Sequence, residues 1–276
     1  QDCGSSGVGL QRDLLLRPVR EPLVMASTSA KASKATELVN AFNAFVGQDC
    51  PPGPKLLPWY CVINLQKGGT LPYTLALMWY YGVWGTALEV PCLFYAAAHG
   101  SYGLAWLTKH RLFPDPQWEA KVTVMGSVNS FLFVLGPYWL APWLLASGRT
   151  PVPSSARCAA AMVVYALGLV LMIAADCHKS ATLKVRKGLV TDGPMALCRH
   201  PNYLGEMMIY GAFAAMVPHW APKAVLVYVW TLLFWTNMAM KEARMSRHAG
   251  WARYCETTPM LVPSVQTLLF GRKSCD

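Results

Sequence analysis

The residues most able to do chemistry lie between Asp176 and Glu206. The chain there reads Asp176-Cys-His-Lys179, a basic stretch, and then RHPNYLGE from Arg199 to Glu206. Arg199 and His200 stand immediately before Pro201, and proline suits the first position of a helix. The spacing therefore predicts a helix that ends at Asp176, a loop, and a new helix whose first turns carry Asn202, Tyr203 and Glu206. A helix N-terminus offers unpaired backbone N–H groups and the positive end of the helix dipole. Residues 176–200 add Lys179, Lys184, Arg186, Lys187 and Arg199. Together they make a receptor for a phosphate-bearing or otherwise anionic ligand.

Glu89 is the second candidate. It is the one charge in the run Leu71–Ala98. A charge at the centre of a membrane helix costs about 2.5–3.5 kcal/mol on insertion scales, so such a residue is usually paired or functional. Such a site favours a protonated carboxyl able to donate to a substrate carbonyl. Tyr80, Tyr81, Tyr95 and Tyr102 are equal candidates for its partner, and a structural bond to a neighbouring helix is the alternative. His99, His110 and His219 read as hydrogen-bonded or interfacial residues. Nine scattered cysteines without a CxxC pair or Cys/His cluster support neither a metal site nor a disulfide framework.

The elements that must position these residues are apolar. Of 276 residues 54% are hydrophobic and 14% charged, against about 25% charged in soluble domains. That composition excludes an ordinary soluble enzyme, and with 12% aromatics it also excludes disorder. Leu71–Ala98, Val122–Gly148 and Cys158–Ala175 reach the length of about 20 residues that a spanning helix needs. Tyr203–Val217 and Ala224–Met240 are separated by Pro218 and Pro222 and read as an antiparallel hairpin. The expectation is an all-α polytopic integral membrane bundle with five or six spans. Six follow if 71–107 makes two passes with a turn near His99–Gly103.

The formal net charge of +10 is placed beside the apolar runs, which points to membrane lipids and away from nucleic acid. The loop at 176–200 and the tail after Met240, with Lys241, Arg244, Arg247, Arg253, Arg272 and Lys273, share the positive side. Residues 1–58 form a polar, proline-broken arm in which Thr36–Val46 makes a short amphipathic helix. Thr36 caps it, Gly47 ends it, and Leu38, Phe42 and Phe45 form its stripe; packing against the protein's own body is its simplest use. Residues 59–175 hold the first membrane helices. Residues 176–276 hold the loop, the hairpin and the basic tail. The chain starts at Gln1 without an initiator Met or a signal-peptide core, and 26–35 is mildly like a transit segment. The expected location is an endoplasmic-reticulum or organelle membrane.

The RHPNYLGE string resembles the signature of a superfamily of small integral-membrane enzymes. It unites steroid and sterol reductases with isoprenylcysteine and phospholipid methyltransferases. Upstream, Ala175-Asp176-x-x-Lys179 and Gly188-Leu189-x-x-x-Gly193 are similar to the reductase lead-in. Downstream, Glu242, Trp251-x-x-Tyr254, Thr258-Pro259 and Val262-Pro263 are similar to the closing segment. The resemblance spans roughly 165–265. It implies a cofactor held by Asp176, Lys179, Arg199, His200, Asn202, Tyr203, Glu206, Glu242 and Tyr254. That cofactor is NADPH in reductases and S-adenosylmethionine in methyltransferases; Asn202 and Glu206 favour the former. The resemblance also implies a catalytic pair of a helix glutamate, here Glu89, and a tyrosine, with Tyr203 beside the hydride.

The chain departs from the family where aromatics usually precede the arginine. It reads Gly193-Pro-Met-Ala-Leu-Cys198-Arg199. The leading expectation is an NADPH-dependent reductase of a lipophilic enone or alkene. A methyltransferase on the same scaffold is one alternative. A non-catalytic subunit of a larger membrane complex, with no cofactor, is the other.

Overall fold

The computed structural model describes residues 32–264; the expectations on 1–31 and 265–276, including the transit-like residues up to 31 and the basic pair Arg272 and Lys273, lie outside them. The fold is almost wholly helical. Ser33 caps α1 (Lys34–Ala44) by accepting from the Thr36 amide at 3.1 Å, and the helix runs into a π-helical stretch, Phe45–Asp49. Strand β1 (Lys55–Pro58) pairs antiparallel with β2 (Lys121–Thr123). Between them stand α2 (Tyr60–Tyr80), α3 (Glu89–Leu112) and the single turn α4 (Pro116–Glu119). Then come α5 (Val124–Ser130), continued by π and 3-10 turns into α6 (Leu140–Ala146), and the long α7 (Ser155–Val185). The closing elements are α8 (Pro201–Met216), α9 (Trp220–Val229), a π-helical Trp230–Trp235, α10 (Thr236–Met245) and α11 (Trp251–Thr257).

Three continuous helices are long and apolar enough to cross a membrane: Val124–Ala146, Ser155–Val185 and Trp220–Met245. Leu71–Ala98 is not one span. The chain turns at Tyr81–Leu88, where Gly82 and Gly85 take positive φ, and the Thr86 hydroxyl donates to the Val83 carbonyl at 2.6 Å. The turn is itself mostly apolar, so hydropathy passes over it. Helices α2 and α3 form an antiparallel hairpin, registered by Trp106 donating to Asn64 and by the Tyr60 ring lying tilted against His110, centroids 4.8 Å apart. The turn expected near His99–Gly103 is mid-helix.

Helix α7 runs nine residues past its expected end at Asp176, because 176–185 contains neither glycine nor proline. It stops at Arg186, just before Gly188 with φ +125°. The division expected at 175/176 therefore falls inside a helix. Helices α7 and α8 cross at two glycines. A Cβ on Gly205 would stand 2.7 Å from the Gly168 carbonyl oxygen, and one on Gly168 would stand 2.8 Å from the Gly205 carbonyl oxygen. The core, with Met78, Tyr95, Leu145, Met172, Ile209 and Met216, fills the space between these helices.

Helix α1 corrects a further expectation. Its stripe of Leu38, Phe42 and Phe45 faces outward, at 72%, 64% and 44% exposure. The opposite face, with Val39, Asn40 and Asn43, lies along α10 and the Trp230–Trp235 turn.

Candidate functional site

One end of the bundle gathers the start of α2, the ends of α3, α7 and α10, and the start of α8. Arg199 and His200 sit just before α8, and Glu242 on α10 holds both. Arg199 Nη2 donates to Glu242 Oε2 at 2.8 Å and its Nε lies 3.1 Å from each carboxylate oxygen. His200 Nε2 is 2.8 Å from Glu242 Oε1. Arg199 Nη1 donates to the Thr258 carbonyl at 2.6 Å, and the backbone amides of Arg199 and His200 donate to Pro259 and Met260. Tyr254 donates to the Met195 carbonyl at 2.8 Å. Arg199, His200, Glu242 and Tyr254 thus bond one another and the nearby backbone, and pin the closing segment to the head of α8.

Electrostatics follow from that packing. Burial pulls the His200 pKa below its usual value, against the Glu242 carboxylate, which raises it. Burial pushes the Cys198 thiol up to about 11. Asp192 is held low; burial opposes this, but its own backbone N–H and His178 bond the carboxylate, with Arg186 adding charge. Gly193 has φ +58°, and a Cβ there would stand 2.9 Å from the His178 ring, so the residue is glycine on both counts.

A second, more open polar cluster lies beside the first. Lys109 of α3 donates to Asp176 of α7 at 2.6 Å and lies over the Trp106 ring. Lys241 of α10 lies 4.6 Å over the Tyr203 ring. Lys179 is exposed, and Asn202, Glu206 and Lys241 are half-buried. Glu206 feels the charges of Lys67, Asp176, Lys109 and Lys241, and Lys179 those of Lys241, Asp115, Asp176 and Lys109. Among the described residues neither Lys179, Lys241 nor Glu206 is engaged in an ion pair.

Deeper along α8, one turn past Glu206, comes Tyr210. Its hydroxyl and that of Tyr102 both accept from the buried ammonium of Lys67, the latter at 2.5 Å. The rings of Tyr102, Trp106 and Tyr210 surround the cation. Lys67 lies four residues ahead of the apolar run that begins at Leu71, so the hydropathy of the run does not mark it; a lone lysine beside such a run is the available signal.

Glu89 is not at a helix centre. It opens α3 and accepts from the Gly85 amide at 2.7 Å, closing the turn between α2 and α3. Thirteen residues separate it from Tyr102, about 20 Å at 1.5 Å per residue, and none of the four tyrosines bonds it. The histidines have local partners: His99 stacks on Phe213, His110 lies 3.7 Å from Glu119, and His219 accepts from the Ala221 amide.

With this geometry in view, a family comparison gives one result: residues 56–258 match DUF1295, proteins of unknown function. The chain belongs to the DUF1295 family. No curated protein and no solved structure matches it. The region matched in this DUF1295 chain holds Lys67, Lys109, Asp176, Asn202, Glu206 and Lys241 together, and leaves α1 outside.

Proposed function

We propose that this chain is a membrane-embedded, NADPH-dependent reductase of a lipophilic substrate, of the steroid and sterol reductase type, with six passes: α2, α3, α5–α6, α7, α8 and α9–α10. The observation that carries the reading is the open cluster of Lys179, Lys241, Asn202, Glu206 and Asp176 at one end of an apolar bundle. Two cations outside any ion pair among the described residues suit phosphates, and carboxylate and amide groups suit ribose and carboxamide. Asp176, Lys179, Asn202, Tyr203, Glu206 and Lys241 would hold the dinucleotide, and NADPH when bound supplies hydride. Arg199, His200, Glu242 and Tyr254 act by holding the loop that shapes this end.

The acid in this reading is the Lys67 network, in place of Glu89. Because Lys67 donates to both phenol oxygens, neither phenol spends its own hydrogen on the lysine. Tyr102 or Tyr210 can therefore polarise a carbonyl and pass it a proton, and the ammonium stabilises the phenolate left behind.

The test is a titration of detergent-purified protein with NADPH, with S-adenosylmethionine as control. Saturable micromolar NADPH binding, weakened at least tenfold in Lys179→Ala and Lys241→Ala, supports the reading. Binding of S-adenosylmethionine alone moves it to a methyltransferase. Binding of neither, with co-purification in a large assembly, favours a non-catalytic subunit. The closure of Arg199 and Glu242 upon each other is the observation that favours this second reading.

A further inference from the structure

We propose that residues 34–58 form a re-entrant membrane segment: α1 dips beside α10 into the hydrocarbon, rests Leu38, Phe42 and Phe45 against lipid acyl chains, and the chain returns to the same face at β1. The proposal rests on the depth of what this segment touches. Asn43 donates to the Leu232 carbonyl at 2.7 Å. Leu232 is the thirteenth of the 26 residues of the span Trp220–Met245, hence at its centre. Eleven residues of α1 extend about 16 Å, half of a hydrocarbon core of about 30 Å.

The chemistry of the segment agrees. From Leu38 to Gln48 there is no charged side chain; Lys34 and Glu37 lie at the start, and Asp49, at the far end of the helix, is paired with Lys55 at 2.6 Å. The outward stripe continues a surface already apolar and exposed, Leu232 and Trp235 of the adjoining span. Irregular backbone survives at membrane depth only where protein groups satisfy it, and here they do. The carbonyls of Val46 and Cys50 accept from Asn129 Nδ2 at 3.1 and 2.8 Å, and that of Gly47 accepts from Ser130 at 3.0 Å. Both donors belong to α5, at the start of the span Val124–Ala146. Gly47 and Gly126 meet closely there: a Cβ on Gly126 would stand 2.9 Å from the Gly47 carbonyl oxygen. A helix resting on water would have no reason to combine an uncharged tip with outward Phe42 and Phe45.

The experiment is spin-label accessibility on the full chain in phosphatidylcholine vesicles. Labels go on Leu38→Cys, Phe42→Cys and Phe45→Cys, with the other accessible cysteines replaced by serine. Val163→Cys on α7 reports lipid and Lys187→Cys reports water. Collision with oxygen exceeding that with a nickel chelate at all three sites, and most at 42 and 45, is the expected result. A higher nickel signal at 42 and 45 puts the helix in water and overturns the proposal. Low signals for both reagents mean a protein cover, which overturns it too. Should labelled variants fail to assemble, the unsubstituted protein is photolabelled with an apolar aryl-diazirine and mapped by mass spectrometry. Adducts on 38–45 are expected, and their absence, with adducts on the exposed face of α7 present, refutes it.

Discussion

At the scale of single residues, Glu242 is the pivot between the Arg199 guanidinium and the His200 ring. Replacing it by glutamine leaves Arg199 and His200 without their shared anion, and losing one member of a largely buried pair costs about 3 kcal/mol. The expected outcome for Glu242→Gln is a thermal midpoint several degrees lower in detergent, with a larger loss than for a surface carboxylate such as Glu256→Gln. His200 sets a pH response with a definite sign. Its folded pKa lies below the unfolded value of about 6.5, so the native state binds fewer protons than the unfolded chain. Its contribution is complete above about pH 6.5 and is lost as pH falls through that value toward the folded pKa. Thermal unfolding followed from pH 8 to 5 should show this loss, and His200→Asn should flatten it. The residues of this group were named through the resemblance carried by RHPNYLGE and Glu242. Its internal closure was not legible, since which donor meets which acceptor depends on where Pro259 and Met260 fold back.

At the scale of elements, the α7–α8 crossing makes a sharp comparison. Gly205→Ala forces a methyl against the backbone of α7 and should cost about 1–3 kcal/mol as overpacking does. Gly211→Ala on the same helix meets nothing within 4 Å and should leave the midpoint unchanged or raise it. Thermal shift assays on the two variants give the answer directly. The helices themselves were largely readable from apolar runs, and so was the start of α8 from Pro201. The break at Tyr81–Leu88 was hidden because valine, tryptophan, alanine and leucine keep the run apolar while Gly82 and Gly85 turn it. The extension of α7 to Val185 was hidden for the opposite reason: a charged stretch reads as loop, yet nothing in it breaks a helix.

At the scale of the molecule, basic residues divide the two ends. Lys184 in the last turn of α7, with Arg186 and Lys187 just after it, lies at the end that carries the polar clusters, and the turn around Val152 lies at the other. In sealed vesicles a membrane-impermeant maleimide should therefore modify Lys187→Cys and Val152→Cys from opposite sides; labelling of both from one side would remove the transmembrane arrangement. The gathering of basic residues at one end was readable from their placement beside the apolar runs. The meeting of Lys67, Lys109, Asp176, Glu206 and Lys241 was not, because they come from five helices spread over 175 positions and no spacing rule links them.

The placement of Lys67 has a consequence for how the protein is made. In the six-pass arrangement proposed above, a ribosome delivers α2 as the first pass, carrying a cation that a translocon admits to lipid only reluctantly. Tyr102 arrives with the next helix and can shelter it at once. Tyr210 arrives 143 residues after the lysine, when most of the chain has been synthesised. A nascent chain arrested after α3 should thus hold its first hairpin loosely, and Tyr102→Phe should lower the yield of inserted protein more than Tyr210→Phe does. The phenol synthesised first guards the entry of the charge, and the one synthesised last locks the bundle around it.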